Sequence, residues 1–252
     1  MQKLIITKAI VIPSYGEDEA LPSLLTTLAG SFKDDDVVIV ADDSPPEIRA
    51  RLVNRCENAM INSSGSLLFS FAANKSGRGT AVRRGMKLAR EEFPNLVSIM
   101  ECDADGSHQP QEILRMRDSA ISCDLLAGSR YLKESQIVGW PITRRLTSKI
   151  LNVSISLLFG LHIKDITNGM RRYSIRAVDL IINTEASNSG FIYLTEQALL
   201  ISRNGFVVKE IPIAFIDREL GSSTMSWREI VSSLFGIVKL FSSDIGSRLT
   251  SK

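Results

Sequence analysis

Five short, largely apolar runs in the first half of the chain, residues 9–12, 37–41, 67–72, 96–100 and 124–127, are continuous rather than alternating. A strand that is apolar on both sides has to be covered on both sides, so these runs predict a parallel sheet buried between helical layers. The intervening segments, around 19–30, 47–59, 79–92 and 110–121, carry apolar residues at helical spacing and supply those layers. The chain reads as successive strand–helix units: an α/β fold, with a mostly parallel central sheet flanked by helices on both faces.

The second half is less regular. Residues 146–161 form an amphipathic helical pattern, 165–171 a turn-rich loop, and a helix carrying Glu196 begins near Tyr193. A strand over 206–215, a polar loop over 218–226 and a closing helix from 227 to about 242 complete the reading. With no linker and no repeat, the simplest division is one domain over 1–226 and a C-terminal helical appendage over 227–252. Lys plus Arg is 30 and Asp plus Glu is 28, which excludes a general nucleic-acid binder because no basic excess exists to meet a phosphate backbone. Cys56, Cys102 and Cys123 are odd in number and lack metal-type spacing, as expected of a reducing compartment. No leader-like stretch opens the chain, and no apolar run approaches the ~20 residues needed to span a bilayer. The expected location is cytoplasmic, free or peripheral on the cytoplasmic face of the membrane.

Polar clusters fall where three of the strands end: Pro13-Ser14-Tyr15, Asp42-Asp43-Ser44 and Asp103-Ala104-Asp105. Open α/β sheets bind their ligands at such carboxyl ends. Two carboxylates one residue apart call for a cation, and hard oxygen ligands suit Mg²⁺ or Mn²⁺, which bridge diphosphate oxygens. Taken alone, the three-residue pattern is common enough that a solvated acidic turn is the better reading; three such clusters at equivalent strand ends favour a pocket. The glycine-rich segment 74–81 opens a helix and is read either as a phosphate cradle or as a tight turn; it matches neither the P-loop nor the dinucleotide pattern. Arg83-Arg84 is expected on an exposed helix face, His108 as a loop hydrogen-bonder, His162 as structural and Trp140 as an ordinary half-buried aromatic.

Six motifs occur in one order: Val11-Ile12-Pro13-Ser14-Tyr15-Gly16-Glu17, Asp42-Asp43-Ser44-Pro45, Asp103-Ala104-Asp105-Gly106-Ser107-His108-Gln109-Pro110, Gly128-Ser129-Arg130-Tyr131, Asp165-Ile166-Thr167-Asn168-Gly169 and Arg218-Glu219-Leu220-Gly221-Ser222-Ser223. Over residues 8 to 226 the series resembles the family 2 glycosyltransferases of GT-A fold, most closely the polyprenol-phosphate (dolichol-phosphate) mannosyltransferases. The resemblance implies that Pro13, Tyr15, Glu17 and Asp42 hold the nucleotide's base and ribose, that Asp103, Ala104 and Asp105 hold metal and diphosphate, and that Arg130, Arg144 and Arg218 face phosphates. It implies a metal-dependent inverting transfer of a hexose, mannose or glucose, from a donor of GDP-mannose or UDP-glucose type to a polyprenyl phosphate.

The chain departs from the family at Gly16, at the shortened acidic run 42–45, at Ser107, and at Thr224, where the family has a phosphate-binding lysine. These departures leave room for two alternatives: transfer to a glycan hydroxyl, or a weakly active nucleotide-sugar-binding homologue. A lipid phosphate is already an anion and needs no general base. A hydroxyl acceptor does, with Glu196 and Asp165 as candidates for that role or for a structural one. Apolar helices over 150–161 and 230–241, near Arg144, Arg145, Lys149 and Lys239, suit a membrane surface as well as burial in the core or a dimer interface.

Overall fold

The apolar runs form strands where the pattern places them. The computed structural model describes residues 5–185, 188, 190, 192–217, 236–237, 239–242 and 244. Its first half runs β1 (Lys8–Ser14), α1 (Ala20–Ala29), β2 (Asp36–Asp42), α2 (Pro46–Met60), β3 (Ser66–Phe71), α3 (Arg78–Glu92), β4 (Ser98–Glu101), α4 (Pro110–Arg117) and β5 (Leu125–Ser129). The second half adds β6 (Gln136–Val138), α5 (Ile142–Phe159), β7 (Arg171–Ser174), α6 (Ile175–Asn183), α7 (Tyr193–Arg203), β8 (Val208–Pro212) and β9 (Ala214–Ile216).

Seven strands form the central sheet in the order β3-β2-β1-β4-β7-β5-β8, and β6 pairs with β9 in a small parallel sheet of two. Every pairing in the large sheet is parallel except those of β7, which runs against both neighbours. Alternation along β1 divides the core. Ala9 and Val11 pack with residues of α3, α6 and α7, while Ile10 and Ile12 pack with residues of α1, α2 and α4. Both faces are therefore covered, and the mostly parallel layered sheet is the expected one.

The second half corrects the sequence reading in several places, among them β6, a short strand additional to the reading. Residues 206–215 are two strands: β8 stays beside β5, and after Ile213 the chain leaves the sheet as β9 to join β6. Strand β7 hides behind a polar sequence. Arg171 is wholly buried and spends its guanidinium on the carbonyls of Asn168 (3.1 Å), Leu194 (2.7 Å) and Ile166 (2.6 Å), so no apolar period marks it. Helix α6, capped by the Ser174 hydroxyl on the Ala177 N–H, is also additional to the reading.

Helix α5 starts at Ile142, a turn earlier than its apolar pattern, and stops at Gly160 in the left-handed region, φ 64°. It buries Asn152, Ile155 and Phe159. Along its other side Ile142 (81 % exposed), Leu146, Ile150, Val153 and Leu157 (77 %) form an open apolar stripe. The described part of the C-terminal helix does the opposite. Leu240 is buried, Phe241 meets the Phe159 ring at 5.9 Å, and Asp244 pairs with Arg203 at 2.8 Å. The division at 226, the loop 218–226 with Arg218 and Thr224, and the rest of the closing helix lie outside the described residues.

Candidate active site

Because β1 lies between β2 and β4, the loops that leave these three strands meet at one mouth. Tyr15 stands 47 % exposed there, with the Lys75 ammonium 4.3 Å from its ring centroid; Pro13 and Glu17 beside it are half-buried. Asp42 is fully buried and accepts from the Ser44 hydroxyl at 2.6 Å and the Ser44 N–H at 3.1 Å. The next carboxylate, Asp43, accepts from the N–H and hydroxyl of Ser76, each at 2.7 Å, and from Arg84 at 2.8 Å. These bonds hold the glycine-rich segment against the Asp42-Asp43 loop just before it enters α3 at Arg78. They also correct the reading of Arg84, which is a partner of Asp43 rather than a solvated residue.

At the end of β4, Ala104 is buried, and Asp103 and Asp105 are half-buried. Gly106 takes a left-handed turn, φ 77°, that returns the Ser107 N–H to Asp105 Oδ1 at 3.1 Å. His108 is buried: its Nδ1 accepts the Asp103 N–H at 3.0 Å, which places the ring proton on Nε2, 3.7 Å from Asp103 Oδ2. The loop role expected of His108 is the one it plays. Burial opposes ionisation of Asp103, but the charge of Arg78 and its hydrogen bonds, the main opposing influence, outweigh it and hold the carboxyl below its ordinary range. Burial, ahead of every charge around it, keeps His108 below the usual imidazole range. Among the described residues no group of three or more His, Cys, Asp or Glu gathers to hold a metal. Two carboxylates fit a hard cation that takes its other ligands from substrate phosphate and water, as Mg²⁺ does; they do not make a closed structural site.

The phosphate-facing candidates stand across the mouth. Arg130 is buried, its Nε and Nη2 locked on Asp165 at 2.7 and 2.8 Å, while Nη2 also reaches Thr167 at 2.8 Å. Asp165 is wholly buried and also accepts the Arg130 backbone N–H at 2.9 Å, the contacts of the structural role, one of the two expected of it. Trp140 departs from expectation. It is buried between two guanidiniums, Arg144 at 4.1 Å and Arg130 at 5.1 Å from its ring, and its indole N–H donates to Asp217 at 3.2 Å. Asp217 also pairs with Arg144 at 3.0 Å. Phe215 joins the two halves of the site, edge-on to Trp140 at 5.3 Å and to His108 at 5.8 Å. Glu196, the other base candidate, accepts from Asn188 and lines a cavity of about 380 Å³ whose walls include none of Asp103, Asp105, Arg130 or Arg144. Arg218 lies outside the described residues.

The strand ends thus gather an acidic pair, Asp103 and Asp105, with buried Arg130 and exposed Arg144, and residues 9–181 match Glycosyl transferase family 2. The chain belongs to that family and is a glycosyltransferase of GT-A fold. It is 32 % identical to the undecaprenyl-phosphate mannosyltransferase of Micrococcus luteus over 219 residues, 86 % of each chain. It is 31 % identical to the polyprenol monophosphomannose synthase of Mycolicibacterium smegmatis over 231 residues, 91 % of this chain and 85 % of that one. Among solved structures it is similar in fold to glucosyl-3-phosphoglycerate synthase from Mycobacterium tuberculosis in complex with Mn²⁺, UDP and glucosyl-3-phosphoglycerate. That likeness has a TM-score of 0.64 at 12 % identity and covers 96 % of this chain and 80 % of that one.

Proposed function

We propose that the enzyme transfers a hexose, with inversion, from a nucleoside-diphosphate sugar to a polyprenyl phosphate, working from residues 1–226 at the cytoplasmic face of a membrane. The observation that carries this reading is α5. Its first turn holds Arg144 beside Trp140, and an apolar stripe exposed to solvent runs on from that point. A phosphate on a hydrocarbon tail fits such a surface end to end, and a sugar hydroxyl does not. The names of the two similar enzymes support mannose as the sugar and a polyprenol phosphate as the acceptor.

In this reading Tyr15, with Pro13 and Glu17, receives the base, and buried Asp42 serves the ribose by fixing, through Ser44, the loop against which it would rest. Asp103 and Asp105 hold Mg²⁺ or Mn²⁺, which supplies Lewis-acid stabilisation of the charge that grows on the leaving diphosphate. Arg130 reaches a phosphate through Nη1, the guanidinium nitrogen that Asp165 and Thr167 leave to it. Arg144 exchanges Asp217 for a phosphate, an exchange favoured because the charge-assisted fork suits either oxyanion. Arg218 completes the phosphate contacts. The acceptor phosphate attacks the anomeric carbon from the side opposite the diphosphate, and no side chain takes a proton, consistent with the locked Asp165. The test is transfer from GDP-mannose and from UDP-glucose, with Mn²⁺, to undecaprenyl phosphate in detergent or to a soluble glycan acceptor. Glycolipid formed with lipid phosphate alone is the expected result; transfer to the glycan alone overturns it.

A further inference from the structure

Glu101 is an acid at the end of an apolar strand, with none of its surface exposed. A buried carboxylate is costly unless it is paired and hydrogen-bonded. Arg78, the first residue of α3, pairs with it at 3.0 Å, and the hydroxyls of Tyr173 (2.6 Å) and Tyr193 donate to it. The same guanidinium reaches Asp103 Oδ1 through Nε at 2.9 Å and Nη2 at 2.6 Å. Glu101 and Asp103 are two residues apart, so the strand period turns both toward the start of α3. Two glycines clear the space. A Cβ at Gly169 would lie 2.9 Å from the Arg78 guanidinium carbon and 3.1 Å from Asp103 Oδ1, and one at Gly79 would lie 2.6 Å from Tyr193. Two motifs distant in sequence are thus cut back to glycine around one ion-pair network.

On the reading that Asp103 and Asp105 hold the divalent cation, we propose that Arg78 is the positioning residue of that centre and couples cation capture to the arrival of a diphosphate. Arg78 occupies Oδ1, so Oδ2, with His108 Nε2 at 3.7 Å and beyond hydrogen-bond distance, is the Asp103 oxygen that would meet a cation. A fixed positive charge beside the ligand repels a bare divalent ion over a few ångströms. The donor's diphosphate brings the negative charge that offsets the repulsion. By linkage, the nucleotide then tightens the cation by the same factor as the cation tightens the nucleotide.

The experiment is Mn²⁺ binding by titration calorimetry, with and without GDP or UDP. It uses the full chain and its Arg78→Met/Glu101→Gln, Arg78→Lys and Asp105→Asn variants. The ratio of Mn²⁺ Kd without nucleotide to Kd with it is the readout. The double variant removes both charges together and leaves the tyrosines an amide oxygen; its bare Mn²⁺ affinity rises at least fivefold and the ratio falls by as much. Arg78→Lys keeps the charge but not the fork that fixes Oδ1, so its bare affinity stays weak while its ratio falls severalfold. A ratio equal to that of the unsubstituted protein in either variant, with native near-ultraviolet circular dichroism, overturns the proposal. Asp105→Asn tests the reading beneath it: loss of Mn²⁺ binding supports the metal site, and Mn²⁺ binding as in the unsubstituted protein overturns that site itself.

Discussion

At the scale of single residues, the two aspartates of the metal loop differ in what their removal does. Asp103 is a partner of Arg78, so its loss leaves a guanidinium facing a buried acid, whereas Asp105 is bonded within its own loop by Ser107. Asp105→Asn is therefore expected to abolish transfer and metal-dependent donor binding with an unchanged melting temperature; metal-stimulated turnover near the normal rate would sink the assignment. Trp140 makes a second prediction. A cation–π contact contributes about 0.5–2 kcal/mol, and Trp140 makes two, so Trp140→Ala should lower kcat/KM for the donor roughly tenfold or more, at about 1.4 kcal/mol per factor of ten. Trp140→Phe keeps the ring and loses only the N–H to Asp217, so it should recover most of that loss in steady-state kinetics. The acidic pair and Arg130 were legible because their motifs sit at strand ends. Arg78 and Glu101 were not: they pair across 23 residues, one in a glycine-rich segment that opens α3 and the other just after an apolar run, and neither local pattern carries the pairing. Trp140 was misread for the same reason, since its cations come from a strand end and a helix start.

At the scale of elements, the strands with apolar faces were legible and the polar inserted strand was not. β7 is held by ionic and carbonyl contacts that hydropathy does not register. Asp124, just before β5, joins three of its neighbours: it accepts from Ser174 at 2.8 Å, from Arg176 Nη2 at 2.6 Å and from the Val207 N–H at 2.9 Å. The bond from Arg176 is the largest influence on its carboxyl. With the Val207 and Ser174 bonds it outweighs the cost of burial and holds the group well below the usual carboxylate range. Asp118 is depressed in the same direction, first by its bond from Arg117 and then by Lys8. Both folded values lie below the unfolded one, so their stabilisation is complete above about pH 4, the ordinary aspartate pKa, and is lost as pH falls through the folded values. Thermal unfolding followed from pH 6 to pH 2 should show a steep decline below about pH 4. Asp124→Asn should flatten that decline while costing roughly 1–3 kcal/mol at neutral pH, the penalty for weakening a buried hydrogen-bond hub. A variant with the unsubstituted acid dependence would show that Asp124 is not the joint.

At the scale of the whole molecule, the two apolar helices of the sequence reading part company. The described residues of the C-terminal helix pack on Phe159 and Arg203, while α5 turns its stripe outward with Arg144, Arg145 and Lys149 exposed on the same helix. No helix among the described residues is long and apolar enough to cross a membrane. An interfacial helix needs neither length nor full apolarity, only an apolar side that enters the headgroup region and basic residues that meet anionic lipid. Burying one large aliphatic side chain contributes about 1.5–3 kcal/mol, so a few positions dominate the attachment. The triple substitution Leu146→Ser, Ile150→Ser and Leu157→Ser touches only exposed positions of the stripe, and surface changes of this kind usually alter stability by less than about 0.5 kcal/mol each. The unsubstituted protein is expected to float with phosphatidylglycerol-containing vesicles and to lose that attachment as salt rises. The triple variant should remain in the soluble fraction. Its transfer to undecaprenyl phosphate in vesicles should fall at least tenfold, while its donor binding, read by thermal shift with Mn²⁺, stays unchanged. Flotation of the triple variant equal to that of the unsubstituted protein would move the membrane contact away from α5, and with it the observation that favours a lipid acceptor.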